Sequence, residues 1–341
     1  MSENKVKRYK RISEYFDKIT ASRKETGSRG RFSGFKSLEP YISFIPGHQT
    51  TVFGTAGSGK TAFAVECCIN MAEVYGSKTV FYLTEVGTWS ETVLDICQTY
   101  LGKTLDVMTD EELLTALTWM DEHFFVLDIS KGLMSIRDIY EQVLEMQKEY
   151  DIKIDNILID HFGNVVPDPS VKGTGLHNEV KFTFQAITAT SKLKNFHTII
   201  LFHVANQDPV KCPQSGKFYL PKAEPYMLSG GVQSHFLSQQ MISVYRPISR
   251  QEQYGVVNPE TGIPFEVNEA HITCMKVKPK FSGALGGAVL HFDVRSQRYY
   301  QVENGIKQYR EGVLGIKNKP SSDSALKPNL NFGTEIESAP F

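Results

Sequence analysis

The stretch that decides the fold is residues 50–75, which read TTVFGTAGSGKTAFAVECCINMAEVY. Its first four residues are apolar or β-branched and predict a strand, whereas residues 60–75 have the pattern of a helix. Between them, the segment from Gly54 to Thr61 matches G-x-x-x-x-G-K-[ST] in full. Because this pattern lies between a strand and a helix, as a phosphate-binding loop requires, the sequence predicts a nucleotide site.

Eight consecutive residues form this predicted phosphate loop: Gly54, Thr55, Ala56, Gly57, Ser58, Gly59, Lys60 and Thr61. Glycines allow backbone N–H groups to turn toward a phosphate, and the helix N-terminus adds its partial positive charge. Lys60 is expected to reach the β- and γ-phosphate oxygens, and the Thr61 hydroxyl is expected to ligate Mg²⁺. We therefore expect a nucleoside triphosphate and Mg²⁺ as ligands.

Two apolar stretches end in an aspartate that could support this Mg²⁺. Residues 156–160 read NILID, and residues 124–128 read FFVLD. Asp160 is the preferred candidate to hold Mg²⁺ through water, because an amphipathic helix at 136–150 precedes it, as expected for an inner parallel strand. Asp128 is interpreted as a strand-end cap.

Two further polar residues end predicted strands. Glu85 follows the strand at 79–83, and His203 ends the apolar stretch at 199–203. The carboxyl ends of parallel strands line the ligand crevice of such sheets, so a carboxylate there can polarise an attacking water. We interpret Glu85 as the water-activating residue, with an ordinary exposed glutamate as the alternative. His203 is a candidate contact to the γ-phosphate, although a lone histidine is more often structural.

Strands and helices alternate along the chain, which predicts an α/β fold with a mostly parallel central sheet flanked by helices. The last strands lack intervening helices, so we expect the C-terminal strands to be antiparallel. Predicted strands lie at 50–53, 79–83, 124–129, 156–159, 198–202, 241–245, 272–277 and 288–292, and predicted helices at 60–75, 89–101, 136–150 and 180–195.

The composition excludes some classes of protein. The 341 residues are 41% hydrophobic, so wholesale disorder is excluded. The net charge of -1 excludes a uniformly basic coat for nucleic acid. No apolar run reaches the roughly 18 residues of a membrane span, and the charged N-terminus lacks a signal-peptide pattern. We expect a cytoplasmic protein without membrane contact, whose five scattered cysteines are reduced.

The two ends of the chain differ from its centre. Residues 1–30 are rich in basic residues and predict an arm with a short amphipathic helix, in which apolar residues recur at three- and four-residue steps. This arm is either a solvated segment or a segment that docks on a neighbouring subunit. Residues 31–310 form the predicted central α/β domain, which contains the nucleotide site. Residues 311–341 are rich in Pro, Ser and Asn and predict a flexible tail.

Several of these segments, in this order and spacing, resemble a known family. GTAGSGKT, FYLTE, NILIDHF and IILFHVAN are similar to the RecA-like motor of DnaB-like hexameric replicative helicases, and above all to the short phage helicases with His at the third strand end. RFSGFKSLEPYI resembles the T-G-F-x-x-L-D segment that leads into the family's motor. The resemblance covers residues 30–305 and implies a RecA-like P-loop NTPase core that hydrolyses ATP with Mg²⁺ and forms a hexamer on single-stranded DNA.

The resemblance also implies roles for matched residues. It makes Lys60, Thr61, Glu85, Asp160 and His203 the phosphate, Mg²⁺, water-activating and γ-phosphate-sensing residues. The segment from Lys276 to Gly283 resembles the family's K-x-R-x-x-x-G segment, which reaches the neighbouring subunit's nucleotide. The positions implied to act in trans are Lys278 and Lys280, and the positions implied to pack the nucleotide base are Arg246 and Phe292. A plain core role for Phe292 is equally open.

Two departures from the family pattern stand out. The trans finger, usually an arginine, is Lys280 here, which replaces a planar fork by a point charge. Arg250 or Arg295 could substitute for it. In addition, only about 30 residues precede the motor, so no N-terminal primase or collar domain is expected within this sequence.

The resemblance places DNA contacts in the loops after the strands of Asp160 and His203, at 163–178 and 205–233. Lysines and backbone amides can contact the phosphates of single-stranded DNA whatever the base sequence. The candidates are Lys172, Gly173, Gly175, Lys211, Lys217 and Lys222. The alternative is that these are exposed loops with ordinary charges.

The C-terminal tip carries Glu335, Glu337 and a terminal Phe341, and it resembles partner-docking tips. It is a candidate contact for a primase, polymerase or loader.

Two rival functions share these motifs. One is a RecA-like recombinase that forms filaments and exchanges strands. The other is an ATP-binding regulatory or loader module with little turnover. The segment at 278–283 favours the helicase over the recombinase, and Glu85 argues against a pure switch, which needs no water activator.

Overall fold

A computed structural model describes residues 16–17, 20, 30–85, 89–204, 207–228, 232–247, 256–259, 261–266 and 268–310. Most of the predicted arm and all of the predicted tail lie outside these residues, as do Arg250, Glu335, Glu337 and Phe341. The boundaries of the arm and tail therefore stay predictions. In the part of the chain that the structure describes, no helix is long and apolar enough to cross a membrane.

The described residues form fourteen strands: β1 Arg31–Phe32, β2 Ser43–Phe44, β3 Gln49–Gly54, β4 Thr79–Leu83, β5 Phe124–Val126, β6 Asn156–Asp160, β7 His197–His203, β8 Val210–Lys211, β9 Phe218–Tyr219, β10 Gln240–Tyr245, β11 Glu269–Val277, β12 Gly286–Asp293, β13 Arg298–Glu303 and β14 Ile306–Tyr309. They also form six α-helices: α1 Lys60–Tyr75, α2 Trp89–Leu101, α3 Asp110–His123, α4 Ile136–Glu149, α5 Leu176–Lys194 and α6 Val232–Leu237.

Ten strands make one sheet in the order β14-β13-β12-β11-β10-β3-β7-β6-β4-β5. The six from β10 to β5 are parallel, and β11, β12, β13 and β14 continue the sheet as antiparallel neighbours. This confirms the predicted α/β class with antiparallel C-terminal strands. Since the parallel strands all end at one edge of the sheet, that edge is the expected ligand crevice.

Alternating side chains of the central strands supply two hydrophobic layers, one on each face of the sheet. Val52 packs in the first layer with α1, α2 and α3, whereas its neighbour Phe53 packs in the second layer with α4 and α5. Phe81 and Tyr82 divide in the same way. Both residues of each pair are buried, which explains why the central strands read as continuous apolar runs.

The predicted helices at 60–75 and 89–101 and the strand at 79–83 have the observed bounds. The predicted strand at 124–129 is wrong at its end, because β5 stops at Val126. Just beyond it, the Asp128 carboxylate accepts hydrogen bonds from the backbone N–H and the hydroxyl of Ser130, which form a local turn. Asp128 is thus occupied as a local cap.

A buried ionic cluster joins the last hairpin, β13–β14, to α1. We call it the arginine–glutamate cluster, and it consists of Glu66, Glu73, Arg298 and Arg310. Arg310 pairs with both glutamates, and its side chain is fully buried. Arg298 donates from Nε to the Thr99 carbonyl at 2.7 Å, at the end of α2. Neither this cluster nor α3, β13 and β14 is among the features predicted from the sequence.

Candidate nucleotide site

The phosphate loop joins β3 to α1 at the crevice edge. Gly57 and Gly59 have positive φ angles, 71° and 87°, which side chains rarely adopt. At Gly54, an added Cβ would collide with the carbonyl of Val244 on β10. The glycines of the motif are therefore required by both conformation and space.

Lys60 lies over the loop rather than pointing into solvent. Its Nζ donates to the Thr55 carbonyl at 2.8 Å and lies 3.3 Å from Nδ1 of His203. Burial lowers the pKa of Lys60 to about 8, and the carboxylates of Asp160 and Glu85 oppose that shift. A phosphate beside the ammonium would favour its charged form.

Thr61 and Asp160 meet where the Mg²⁺ is expected. The Thr61 hydroxyl donates to Oδ2 of Asp160 at 2.6 Å, and Asp160 is 1% exposed. Burial is the main cause that raises the pKa of Asp160. Its Oδ1 is buried and has no hydrogen-bond partner among the described residues. A hydroxyl beside a carboxylate with an unused oxygen fits a hard cation such as Mg²⁺.

Glu85 follows β4 at the crevice edge, and its side chain is 41% exposed. Oε2 of Glu85 lies 3.0 Å from Nε2 of His203. When Lys60 donates to Nδ1 of His203, the neutral ring carries its proton on Nε2 and donates it to Glu85. The structure thus brings Lys60, at the start of α1, together with two residues from strand ends, Glu85 and His203.

His161 belongs to this group although it was not predicted from the sequence. Its ring lies 4.7 Å from that of His203 in an edge-to-face arrangement, and Nδ1 lies 3.6 Å from Oε1 of Glu85. Burial lowers the pKa of His161. The feature of the sequence that could have identified His161 is its position directly after Asp160, at the end of an inner strand.

Aromatic residues of β12 and β13 lie beside the phosphate loop. The hydroxyl of Tyr299 donates to the Gly59 carbonyl at 3.0 Å, and its ring lies 5.1 Å from Phe292. The Arg246 guanidinium lies 5.9 Å from the Phe292 ring. Arg246 and Phe292 are therefore adjacent and close to the loop, and their contact with a nucleotide base stays a prediction. Tyr299 was not predicted.

Solved structures share this arrangement of sheet and loop. The ATPase domain of G40P matches with a TM-score of 0.66 at 14% identity, over 86% of this chain and 100% of that one. A DnaB-like replicative helicase, described with its interactions with primase, matches with a TM-score of 0.63 at 15% identity, over 86% and 68%. The chain has the fold of a DnaB-like helicase ATPase domain. No protein-family model and no curated protein matches the sequence.

Within this DnaB-like fold, Lys278 and Lys280 lie far from the chain's own phosphate loop. They follow β11, whose last residue, Val277, pairs with Gln240 at the start of β10. Since β10 runs parallel to β3, this end of β11 lies at the edge opposite the crevice. Both lysines are exposed. Arg295, in contrast, follows β12 at the crevice edge and is exposed there.

The predicted DNA loops of the DnaB-like fold follow β6 and β7 at the crevice edge. Lys211 and Lys217 are exposed in and beside the β8–β9 hairpin, where the Cys212 N–H donates to the Lys217 carbonyl at 2.7 Å. Lys172 is exposed too, but the Gly173 N–H already donates to Glu179. Lys222 is exposed, and its ammonium lies 5.8 Å from the Tyr245 ring. DNA contact by these residues stays a prediction.

Proposed function

We propose that the protein is an ATP-dependent, ring-forming DNA helicase that translocates on single-stranded DNA. One observation carries the proposal: five residues expected for ATP hydrolysis converge on one edge of a sheet that has the fold of helicase ATPase domains. They are Lys60, Thr61, Glu85, Asp160 and His203.

The side chains divide the hydrolytic work among them. Lys60 and the loop amides bind the β- and γ-phosphates, and Thr61 with Asp160 holds Mg²⁺, which neutralises charge on the phosphate oxygens. The Glu85 carboxylate orients a water and accepts its proton as the water attacks phosphorus. His203 contacts Lys60 on one side and Glu85 on the other, so it is placed to respond when the γ-phosphate leaves.

Lys278 and Lys280 act on the nucleotide of a neighbouring subunit in this proposal. They lie at the edge of the sheet opposite the chain's own phosphate loop. Head-to-tail contacts join two different surfaces of the same chain, so in a ring these lysines would face the phosphate loop of the next subunit. Each ATP would then lie between subunits, and its hydrolysis would change how they contact each other. A hexamer is the ring size that we propose.

Mixing two defective variants tests the action in trans. We expect Glu85→Gln and the double variant Lys278→Ala/Lys280→Ala each to hydrolyse little ATP. A mixture regains activity, because about a quarter of randomly mixed head-to-tail interfaces join an intact phosphate side to intact lysines. ATP hydrolysis is measured as a function of the mixing ratio.

The matched control mixes Glu85→Gln with Lys60→Ala, in which both defects lie on the phosphate side of the interface. Every interface in this mixture has a defective phosphate side, so the mixture is expected to regain no ATP hydrolysis. Full ATP hydrolysis by the double lysine variant on its own would contradict the proposal that Lys278 and Lys280 act on the neighbouring subunit's nucleotide.

The hairpin lysines provide a test of DNA contact. Lys211→Ala/Lys217→Ala is expected to weaken binding to single-stranded DNA and to lower the slope of log K against log salt by about 1.4, at about 0.7 per lost phosphate contact. Affinity is measured by fluorescence anisotropy from low to moderate salt. The control is Lys148→Ala/Lys194→Ala, which removes two exposed lysines near the opposite edge. An equal loss in both double variants would contradict a specific role for the hairpin.

A RecA-like recombinase remains the rival function, and a regulatory module the second. Comparing the rate of ATP hydrolysis with and without single-stranded DNA distinguishes a motor from the regulatory module, because single-stranded DNA stimulates the ATPase of a motor that moves along it. Strand exchange between homologous duplexes separates the recombinase. Stimulated hydrolysis without strand exchange supports the helicase, whereas strand exchange would overturn it.

The C-terminal tip is the proposed contact for partner proteins. The tip with Glu335, Glu337 and Phe341 would dock a primase, polymerase or loader. The similar DnaB-like helicase is itself described with its interactions with primase. The expected location is the cytoplasm of a bacterium or of a phage-infected host.

A further inference from the structure

Glu85, His161 and His203 form a compact cluster at the ends of three neighbouring strands. One ligand atom from each lies within 4.8 Å of the other two. The closest pairs are Nε2 of His203 with Oε1 of Glu85 at 2.9 Å, and Nδ1 of His161 with the same oxygen at 3.6 Å. Two imidazoles therefore face one carboxylate.

These distances suit a tetrahedral transition-metal ion. With metal–ligand bonds of about 2.0–2.1 Å, two tetrahedral ligands lie about 3.4 Å apart. The observed 2.9 and 3.6 Å lie on either side of that value. Two histidines and one carboxylate are a donor set for Zn²⁺, and they leave a fourth position for water. Mg²⁺ prefers oxygen ligands, so the same set disfavours it.

His161 is the part of the cluster that the hydrolytic mechanism does not use. His203 already contacts both Lys60 and Glu85. Nδ1 of His161 is buried and has no hydrogen-bond partner among the described residues, yet it faces Glu85. Because a buried polar nitrogen without a partner is costly, its placement calls for a ligand.

We propose that Glu85, His161 and His203 bind one Zn²⁺ ion, and that this ion blocks ATP hydrolysis by occupying Glu85. The site is distinct from the Mg²⁺ position at Thr61 and Asp160. Binding to Nε2 of His203 places the ring proton on Nδ1, so Lys60 gives up that contact and keeps the Thr55 carbonyl. The blocking step, unlike the binding step, rests on the proposed function.

Metal binding is tested directly on the full, untagged chain after removal of metals with a chelator. Titration calorimetry with Zn²⁺ is expected to give one ion per chain, and Co²⁺ is expected to give the visible spectrum of a tetrahedral site. His161→Gln is expected to weaken Zn²⁺ binding at least about tenfold, the lower end of the cost of losing even an outer-shell partner. His177→Gln, which changes an exposed histidine on α5, is the matched control and keeps the affinity of the parent chain.

Absence of stoichiometric Zn²⁺ binding, or equal affinity in the parent chain and His161→Gln, would overturn the proposal. Thermal unfolding verifies that each variant is folded. His203→Gln is a second variant with the same expected loss of binding.

The blocking step has its own readout. Zn²⁺ is added to Mg²⁺-dependent ATP hydrolysis, and inhibition is expected at concentrations that saturate the site in calorimetry. The inhibition curve of His161→Gln shifts to at least about tenfold higher Zn²⁺. Zn²⁺ binding without inhibition would overturn the blocking step. Absence of hydrolysis with Mg²⁺ alone would instead contradict the proposed function, and calorimetry would still decide the metal site.

Discussion

Glu85→Gln is expected to lower ATP hydrolysis at least about 100-fold, because general-base catalysis contributes about 10²–10⁴-fold and an amide cannot accept the water's proton. Glutamine keeps the size of the side chain and still accepts a hydrogen bond from His203. The phosphate loop and the pair of Thr61 with Asp160 are untouched. Nucleotide affinity, measured with a fluorescent ATP analogue, is therefore expected to stay within about threefold of the parent chain, because the variant removes no phosphate contact.

The matched control is Glu111→Gln, which removes the same charge from an exposed position in the first turn of α3. Its hydrolysis rate is expected to equal that of the parent chain. A Glu85→Gln protein that hydrolyses ATP at the normal rate would show that another group activates the water. Loss of nucleotide binding in the same variant would show that Glu85 supports the loop rather than the chemistry.

Arg310→Met is expected to destabilise the folded chain by about 3–5 kcal/mol, because removing one partner of a buried ion pair leaves the other charge uncompensated. Arg310 pairs with Glu66 and Glu73, and the side chains of Arg310 and Glu66 are fully buried. Methionine fills a similar space without a charge. The free energy of unfolding is measured by urea denaturation, and ATP hydrolysis is not needed as a readout.

The loss is expected to be larger at pH 8 than at pH 6. Burial raises the pKa of Glu66 from 4.5 to about 7, and Arg310 opposes that shift. Between pH 4.5 and about 7, Glu66 holds a proton in the folded state that it lacks in the unfolded state. The contribution of Glu66 to the free energy of unfolding therefore falls as the pH rises across this window. Without Arg310 the pKa rises further, and the fall continues toward pH 8.

Arg137→Met is the control, because the exposed Arg137 side chain pairs with the partly buried Asp168 at 3.0 Å. We expect little change in stability and no extra loss at pH 8. Equal effects of Arg137→Met and Arg310→Met would contradict the role of the arginine–glutamate cluster.

The features that the sequence predicts well are local or follow from strand ends. The phosphate loop is a contiguous motif, and its strand and helix are where the pattern places them. Glu85, Asp160 and His203 are far apart in the chain, but each ends an apolar strand. Since parallel strands end at one edge, the fold class places all three residues at that edge, and the strand order β7-β6-β4 brings them into contact.

The features that the sequence does not predict depend on contacts between distant segments. Tyr299 meets Gly59 across 240 positions of the chain, and its backbone N–H reaches Glu66 across 233. Neither contact has a local pattern. The hairpin β13–β14 is the exception, because the Asn304-Gly305 turn, with positive φ at both residues, is a local hairpin signal that the prediction missed; β13 also pairs with β12. His161 has no spacing relative to Glu85 that a motif could express.

Unwinding of a forked DNA duplex is the measurement that tests the proposed helicase activity most directly. The parent chain with ATP and Mg²⁺ is compared with Glu85→Gln and with a reaction without ATP, and strand separation is followed by fluorescence. We predict unwinding by the parent chain alone, together with ATP hydrolysis that single-stranded DNA stimulates. ATP hydrolysis that is unaffected by DNA and separates no strands would contradict the helicase function.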